Sequence, residues 1–517
     1  MQRIAHGSTS PPDPPQDEAA FAPALGAAAA PAPASIPLTF LFPDLAADDK
    51  FLIPQTDNTP EHLSSLGAAM RDDDDPKFNS GIPSIYTYFA QFLNHDIAFT
   101  NVLKPDDVTD SMMLNNPHLV PWTIKDIQEK VKNKRASLLE LDSVYGLMPN
   151  GQFPRRDENP EKLAIGKVSL SVLFPRPPGK SGDDHHDLMR TLPSKEKPKE
   201  DRTALIPDPR NDSHLIISQL HVAFLRAHNA LVDKHNYSYD EAKRELTNRY
   251  HWLVYHDFLK TFVPEETIDK VMTDPIYEPG LGLPLEFTAG AFRFGHSMVR
   301  RGYYLNDNYP GQTLVGLFTL IVLSNGFNQP TPGVGYKQLP EHRIIQWRKF
   351  LAGGNNAARA LRPQMVEPLF ELLNEIDRPV PPETRLSVQD LKRGYMLRLP
   401  TGQAIAERLK IIPLTATEIR AVATEAQFDV LTKSGFLSQT PLWFYILAEA
   451  AHFNSQPGPG QGRDQLGPVG GRIVAEVLIG LLKNNPHSFL NTGWKPPGKF
   501  FLSDLLDLAG VLEPDNQ

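Results

Sequence analysis

Apolar residues recur at helical spacing in two long stretches of the chain. In the stretch 82–101 the predicted buried face consists of Ile85, Phe89, Phe92, Leu93 and Ile97. Spacings of three and four residues place side chains on one face of an α-helix, so a helix is predicted here. A second helix is predicted over 213–235, with an apolar stripe of Leu215, Leu220, Phe224 and Leu231. Asp212 or Ser213 is its predicted N-cap, because short polar side chains accept hydrogen bonds from the first backbone N–H groups.

The remaining pattern indicates a mainly α-helical protein with long loops and few short strands. Further helices are predicted at 240–262, 286–300, 341–361, 363–376, 402–411, 417–427, 440–453 and 471–484. There are 49 prolines among 517 residues, about double the usual share, and since proline interrupts helix interiors they predict long connecting loops.

The chain is predicted to form one large domain behind an unstructured tail. Residues 1–35 are rich in Ala and Pro, a composition typical of a disordered segment, and residues 36–80 show no regular pattern. No internal repeat and no clean linker are evident between 80 and 500. Residues 36–517 are therefore predicted to fold as a single unit.

Charge and composition remove several classes of function. The chain has no cysteine, which excludes disulfides, zinc–thiolate centres, iron–sulfur clusters and thiol nucleophiles. The net charge of −9 argues against a nucleic-acid partner, and no apolar run approaches the about 20 residues that would predict membrane insertion. The segment 19–34 lacks a preceding basic region, so we expect a cytoplasmic protein, with secretion left open. The oligomeric state is also left open.

Gln91, His95 and Asp96 are polar residues on the first apolar helix. Gln91 and His95 are four residues apart and share one face, whereas Asp96 points about 100° away. An imidazole in such a place can move protons when its pKa lies near neutrality. Taken alone, however, His95 is better explained as a buried structural histidine with one hydrogen bond.

Arg210 lies in a turn-rich segment directly before the second helix. The segment 207–212, PDPRND, would hold this arginine in a fixed loop. A guanidinium in an apolar pocket can stabilise developing negative charge on a bound oxygen. A structural salt bridge at the start of the helix is the simpler explanation when the segment is considered by itself.

Two pairs of charged residues share a spacing of three. Arg293 and His296 lie in the apolar segment 291–299, and Asp390 and Arg393 lie much later in the chain. A metal-bound histidine needs an acceptor for its second N–H group, which a carboxylate can provide. Two arginines would suit the two propionates of a haem.

Taken in chain order, these segments resemble the animal-type haem peroxidases of the peroxidase–cyclooxygenase superfamily. The resemblance rests on AQFLNHDIAFT at 90–100, LLELDSVYG at 138–146, PDPRND with HVAFLRAHN at 221–229, FRFGH at 292–296 and DLKRGYMLRLPTGQ at 390–403. The closing segments PLWFYILAEAA and LGPVGGRIVAEVLIGLL, at 441–451 and 466–482, resemble bacterial members. Each motif is modestly specific, but five in the right order are unlikely to agree by chance. The resemblance covers about residues 60–500.

The resemblance implies a mainly α haem-peroxidase domain with haem b as its cofactor. By this likeness His95 is the distal acid–base, Arg210 polarises the O–O bond and Gln91 lines the distal pocket. His296 is the implied axial ligand of the haem iron. Asp390 stands where the family usually has an asparagine that accepts the N–H of the axial histidine. Arg293 and Arg393 are the implied propionate-binding residues.

Departures from the family pattern limit what else is carried over. Asp96, Glu140 and Asp142 match calcium-ligand positions, but Glu140 is longer than the usual residue, so calcium is left open. Mammalian members bind haem covalently through two carboxylates and a methionine. Those positions hold Asn94, Ser213 and His214, so haem is predicted to be noncovalent.

The resemblance predicts a peroxidase that reduces hydrogen peroxide through a high-valent iron–oxo intermediate. The electron donor is expected to be a small aromatic compound or a halide or pseudohalide. The first alternative is a cyclooxygenase-like fatty-acid dioxygenase; in such relatives a tyrosine lies one helical turn before the proximal histidine, where this chain has Arg293. The second alternative is a non-catalytic haem-binding relative, against which the full set of His95, Arg210 and His296 argues.

Overall fold

The computed structural model describes a long, mostly helical part of the chain. The described residues are 36–102, 113–135, 138–148, 154, 156–171, 174–180, 182–191, 203–313, 338–366, 369, 385–456 and 464–514. Backbone contacts divide the chain into the units 1–32 and 33–517, and every described residue lies in the second. The predicted tail, 1–35, lies outside the described residues.

The described part is built mainly from helices. They are α1 (Pro43–Ala47), α2 (Thr59–Ala69), α3 (Ile85–Ile97), α4 (Ile124–Lys130), α5 (Asp142–Tyr145), α6 (Leu215–His235), α7 (Tyr239–Trp252), α8 (Lys260–Phe262), α9 (Glu265–Thr273), α10 (Leu386–Met396), α11 (Gly402–Arg408), α12 (Ala416–Val422), α13 (Glu425–Ser434), α14 (Leu442–Ser455), α15 (Pro468–Asn484), α16 (Phe489–Thr492) and α17 (Leu502–Leu508). The π-helical stretch Leu253–Leu259 continues α7, and a second one, Glu286–Gly290, precedes the 3₁₀ turn Ala291–Met298. Another 3₁₀ turn is Pro209–Asp212.

Strands are short and pair in small groups. They are β1 (Ile36–Thr39), β2 (Arg71–Asp72), β3 (Asn79–Pro83), β4 (Thr100–Val102), β5 (Val131–Asn133), β6 (Leu283–Pro284), β7 (Gly302–Tyr303), β8 (Gln312–Thr313), β9 (Ala357–Arg359) and β10 (Met365–Val366). One four-stranded sheet has the order β4-β5-β1-β6, with β1 antiparallel to β5 and parallel to β6. The predicted architecture, mainly α with few short strands, is confirmed.

The two helices predicted from hydrophobic periodicity form the centre of the core. The five predicted apolar residues of α3 and the four of α6 are all fully buried. Phe92 of α3 stacks on Phe224 of α6, with ring centroids 4.3 Å apart. Aromatic stacking of this kind adds to the stabilisation that comes from burial of apolar area. It fixes the rotation of α3 against α6, and with it the direction in which Gln91 and His95 point.

Several boundaries differ from the prediction. The N-cap of α6 is His214, whose ring accepts from Ile217 N; Asp212 and Ser213 belong to the preceding turn. The unpatterned region 36–80 contains α2. The helix predicted at 341–361 is wrong: that segment holds the 3₁₀ turns Glu341–Arg343 and Trp347–Phe350 and then β9. Most of the helix predicted at 363–376 lies outside the described residues, and its start is β10.

The long helix α6 meets the length and composition of a membrane span, but 83% of its most apolar window is buried inside the protein. Its hydrophobicity is therefore explained by its central position in the core.

Candidate active site

His95 is held by the turn that precedes α6. Its Nδ1 atom lies 2.7 Å from the side-chain oxygen of Asn211, and the amide nitrogen of Asn211 lies 3.0 Å from Nδ1 of His221. All three residues are buried. Burial, aided by the positive charge of Arg210, lowers the pKa of His95 to about 3, so its ring is neutral near pH 7.

Gln91, one helical turn before His95, contacts the same turn. The Nε2 atom of His214 lies 2.9 Å from Oε1 of Gln91, while Nδ1 of His214 accepts the Ile217 N–H. Burial lowers the pKa of His214 to about 3, so this ring is neutral and must donate from Nε2. Gln91 is thereby oriented with its oxygen toward His214.

Arg210 joins the turn to the end of α3. Its Nη2 donates to the carbonyl oxygens of His95 (3.0 Å) and Ala98 (2.8 Å), which lie at the C-terminus of the helix, where carbonyl oxygens lack an intrahelical partner. Its Nε donates to Asp208 at 2.9 Å, and the guanidinium lies 4.4 Å from the ring centre of Phe99. These contacts use Nε and Nη2, and within the described part of the chain Nη1 has no hydrogen-bond partner.

His296 and Arg293 converge on one buried carboxylate. Asp390 Oδ2 lies 2.7 Å from His296 Nδ1, and Asp390 Oδ1 accepts from Arg293 at 2.6 Å and from Arg393 at 3.3 Å. Arg293 and His296 lie in a 3₁₀ turn, where residues three apart are eclipsed, so both reach the same group. Burial alone would raise the pKa of Asp390, but the neighbouring Arg293 and His296 outweigh it and hold that pKa at about 2.

Arg210, Arg293 and Arg393 line one cavity of about 150 Å³. Asn94 and Thr288 also line it, together with apolar residues such as Leu114 and Met396. His95 and His296 are not part of the lining, although Asn94 and Arg293 next to them are.

The donor set fits a haem. Asp390 holds Nδ1 of His296, while Nε2 makes no hydrogen bond within the described part of the chain and the side chain is 31% exposed. A neutral imidazole with one nitrogen held by a carboxylate is the usual form of an iron-ligating histidine. Arg293 and Arg393 border the cavity and are the residues that would hold the propionates.

The calcium positions are arranged differently. Asp96 accepts hydrogen bonds from Leu141 N (3.3 Å), Ser143 N (3.1 Å) and the Tyr250 hydroxyl (3.0 Å). Glu140 lies 3.4 Å from the side chain of Asn485. No group of three metal-ligating carboxylates or histidines occurs among the residues that the structure describes. Calcium needs about six to eight oxygen ligands, whereas N–H and O–H donors point at Asp96, so these residues do not fit a calcium ion as they stand.

Sequence reasoning missed three residues that contact the predicted ones. Asn211 forms a hydrogen bond with His95, and His214 forms one with Gln91. Trp443 donates to the Arg293 carbonyl oxygen at 3.2 Å, and its ring lies 6.4 Å from that of His296. Asn211 directly follows Arg210, and a polar residue in a fixed turn was the available signal. Trp443 lies in the segment 441–451 that carries part of the resemblance, but nothing distinguished it from its apolar neighbours.

Comparisons with known proteins agree with this fold. The structure is similar to peroxidase A from Dictyostelium discoideum, with a TM-score of 0.57 and 14% identity over 93% of this chain and 94% of that one. It is also similar to the fatty acid alpha-dioxygenase of Oryza sativa, with a TM-score of 0.50 and 15% identity over 89% of this chain and 78% of that one. A search of curated protein sequences found no match. The family model for animal haem peroxidase matches residues 56–377, and on this basis the chain belongs to the animal haem peroxidase family.

Proposed function

We propose that this protein is a peroxidase that binds haem b noncovalently, reduces hydrogen peroxide and oxidises a small aromatic, halide or pseudohalide donor. The observation that carries the proposal is the shared contact of Arg293 and His296 with Asp390. It supports His296 as the iron ligand, and Arg293, paired with Asp390, occupies the position one turn before it. Haem bound there would supply the iron centre at which peroxide is reduced.

His95 and Arg210 suit the handling of peroxide. A neutral His95 can take the first proton of a peroxide and return it to the departing oxygen. Arg210 keeps Nη1 available after capping α3, and this N–H group can stabilise negative charge on the oxygen. Asp208 partly neutralises Arg210, yet it also fixes the direction of the guanidinium.

The dioxygenase alternative requires an oxidisable tyrosine near the haem. Arg293 stands in the position one turn before His296, and the 3₁₀ turn ends at Met298, so Tyr303 does not continue that helix. Instead Tyr303 is buried against Tyr88, with ring centroids 5.6 Å apart, and Tyr88 lies 5.3 Å from His214. Through His214, Tyr88 lies close to Gln91, so Tyr88 and Tyr303 are the tyrosines that we test for a dioxygenase reaction.

One pair of assays separates the two activities. Haem-loaded protein is given hydrogen peroxide with a phenolic donor, and separately oxygen with an unsaturated fatty acid and trace peroxide. We expect peroxide-dependent phenol oxidation that is lost in both His95→Ala and Arg210→Ala. Rapid stoichiometric oxygen uptake with fatty acid, weak phenol oxidation and loss of uptake in Tyr88→Phe or Tyr303→Phe would instead establish the dioxygenase.

A further inference from the structure

We infer that Asn211 is a positioning residue that holds the neutral ring of His95 with its hydrogen on Nδ1. This leaves Nε2 as the nitrogen that accepts a proton. The inference rests on the proposed function of His95, and it assigns to Asn211 the control of which nitrogen of that histidine can act as a base.

The first step is the chemistry of the contact. A side-chain carbonyl oxygen only accepts hydrogen bonds, so the 2.7 Å contact between Asn211 Oδ1 and His95 Nδ1 requires the hydrogen on Nδ1. A neutral imidazole carries one N–H, and therefore Nε2 has a lone pair. The opposite tautomer would present an N–H at Nε2 and could not take a proton from peroxide.

The second step is what holds Asn211 itself. Its backbone N donates to the Asp208 carbonyl oxygen at 3.0 Å within the 3₁₀ turn, and its side chain is fully buried. At the other end of the amide, Nδ2 donates to His221 Nδ1 at 3.0 Å. His221 is fully buried in α6, where its ring packs against Phe92 with centroids 6.1 Å apart. The two histidines thus lie on opposite ends of one amide.

The third step is that the hydrogen bond between His95 and Asn211 matters more because water is excluded from this buried pair. His95 and His221 are both buried, so water cannot replace a missing partner. A buried N–H without a partner is unfavourable, so the hydrogen bond to Asn211 favours the tautomer of His95 that carries its hydrogen on Nδ1. Loss of the Asn211 carbonyl should therefore convert His95 largely to the form with the hydrogen on Nε2.

The test compares three variants of the haem-loaded protein. Asn211→Leu removes both polar ends of the side chain and keeps its branched shape. Asn211→Asp keeps an acceptor for His95. His221→Leu removes only the residue that anchors the amide. Each is checked for an unchanged Soret band and melting temperature. Cyanide is the probe for the base, because hydrogen cyanide must give up its proton to bind iron as an anion. The rate of peroxide reaction is measured alongside.

We expect Asn211→Leu to slow both cyanide association and the peroxide reaction by roughly 10- to 100-fold, as for loss of a general base. Asn211→Asp should stay much closer to the parent, and His221→Leu should lie between them. Parent-like rates in Asn211→Leu, or equal losses in Asn211→Leu and Asn211→Asp, would overturn the inference.

A direct readout of the tautomer is independent of rate. In protein labelled with ¹⁵N-histidine and held as the diamagnetic ferrous carbon monoxide complex, the His95 signals should show a protonated Nδ1 in the parent and in Asn211→Asp, and a protonated Nε2 in Asn211→Leu. A protonated Nε2 in the parent would refute the inference even if peroxide is consumed. A parent protein that binds haem but does not react with peroxide would instead refute the proposed function.

Discussion

The side chain of Asp390 lies 2.7 Å from Nδ1 of His296 and 2.6 Å from the guanidinium of Arg293. One buried carboxylate thereby orients the proposed iron ligand and neutralises the arginine beside it. A carboxylate accepting the N–H of an axial histidine makes the imidazole a stronger electron donor to iron.

Asp390→Asn should therefore raise the reduction potential of the haem. The neutral amide can still accept from His296, but it no longer draws the N–H hydrogen toward an anion. We expect an increase of roughly 60 mV, a tenfold change in a one-electron equilibrium, measured by spectroelectrochemistry. The exposed pair formed by Arg408 and Asp44 provides the control: Asp44→Asn should leave the potential unchanged. An unchanged potential in Asp390→Asn would mean that the carboxylate does not influence the iron.

The same substitution should reduce stability in a pH-dependent way. The pKa of Asp390 is held at about 2, below the value of about 3.9 expected in the unfolded chain. A lowered pKa contributes stability above the unfolded value, and the contribution is lost as the pH falls from about 4 to about 2. Denaturation at pH 7 should show Asp390→Asn to be less stable by about 2 kcal/mol, and the difference should shrink at pH 3. A difference that persists in acid would point to packing rather than charge.

His296→Ala should lose the haem or bind it weakly, because the proposed axial ligand is removed. Added imidazole should partly restore the Soret band by occupying the space left by the ring. Absorbance titration with haem measures both effects, and His185→Ala, which changes a half-exposed histidine elsewhere, is the control. Normal ferric spectra and activity in His296→Ala would rule out this assignment.

His95→Ala and Arg210→Ala should each lower peroxide-dependent phenol oxidation by roughly 100-fold or more.

Because the pKa of His95 lies near 3, the parent rate should stay level at neutral pH and fall only in acid, as the ring becomes protonated. Stopped-flow measurement of the peroxide reaction between pH 4 and 8 checks this. A steep fall beginning near pH 6.5 would show that the ring is not shielded as the structure indicates.

Haem should be extracted from the peroxide-treated protein by acidic organic solvent, leaving apoprotein of unmodified mass. The amide of Asn94, which lines the cavity, and the hydroxyl of Ser213 cannot form the esters that carboxylates form at these positions. Denaturing mass spectrometry distinguishes the two states. Haem that remains attached to the chain would contradict the noncovalent proposal.

Chelation of calcium should leave the melting temperature unchanged, because backbone N–H groups and Tyr250 already satisfy Asp96. Tyr250→Phe should then destabilise the protein by about 1 kcal/mol, the usual contribution of one hydrogen bond. Thermal unfolding with and without a chelator, together with metal analysis, tests both. Stoichiometric calcium and a lower melting temperature on chelation would show that these side chains rearrange around the ion.

Local spacing was sufficient to predict much of this protein. Periodicity identified α3 and α6 together with their buried residues, because a helix presents every third or fourth side chain to the core. The same rule placed Gln91 beside His95, and the spacing of three anticipated the pairs around His296 and Asp390. The prediction failed at 341–361, where apolar residues pack within turns and a short strand and are held by contacts from elsewhere in the chain.

The partners of each site residue were decided only by tertiary structure. His95 meets Asn211 across 116 positions, and His296 meets Asp390 across 94. Spacing within one helix shows which face a side chain occupies, but not which distant segment packs against that face. The sequence by itself therefore determined α3, α6 and the types of residue available for the proposed peroxide chemistry. The packing of α6 against α3 decided that Nδ1 of His95 is held. The packing of α10 against the turn that carries His296 decided that Nδ1 of His296 is held. In both residues Nε2 is left for the proposed chemistry.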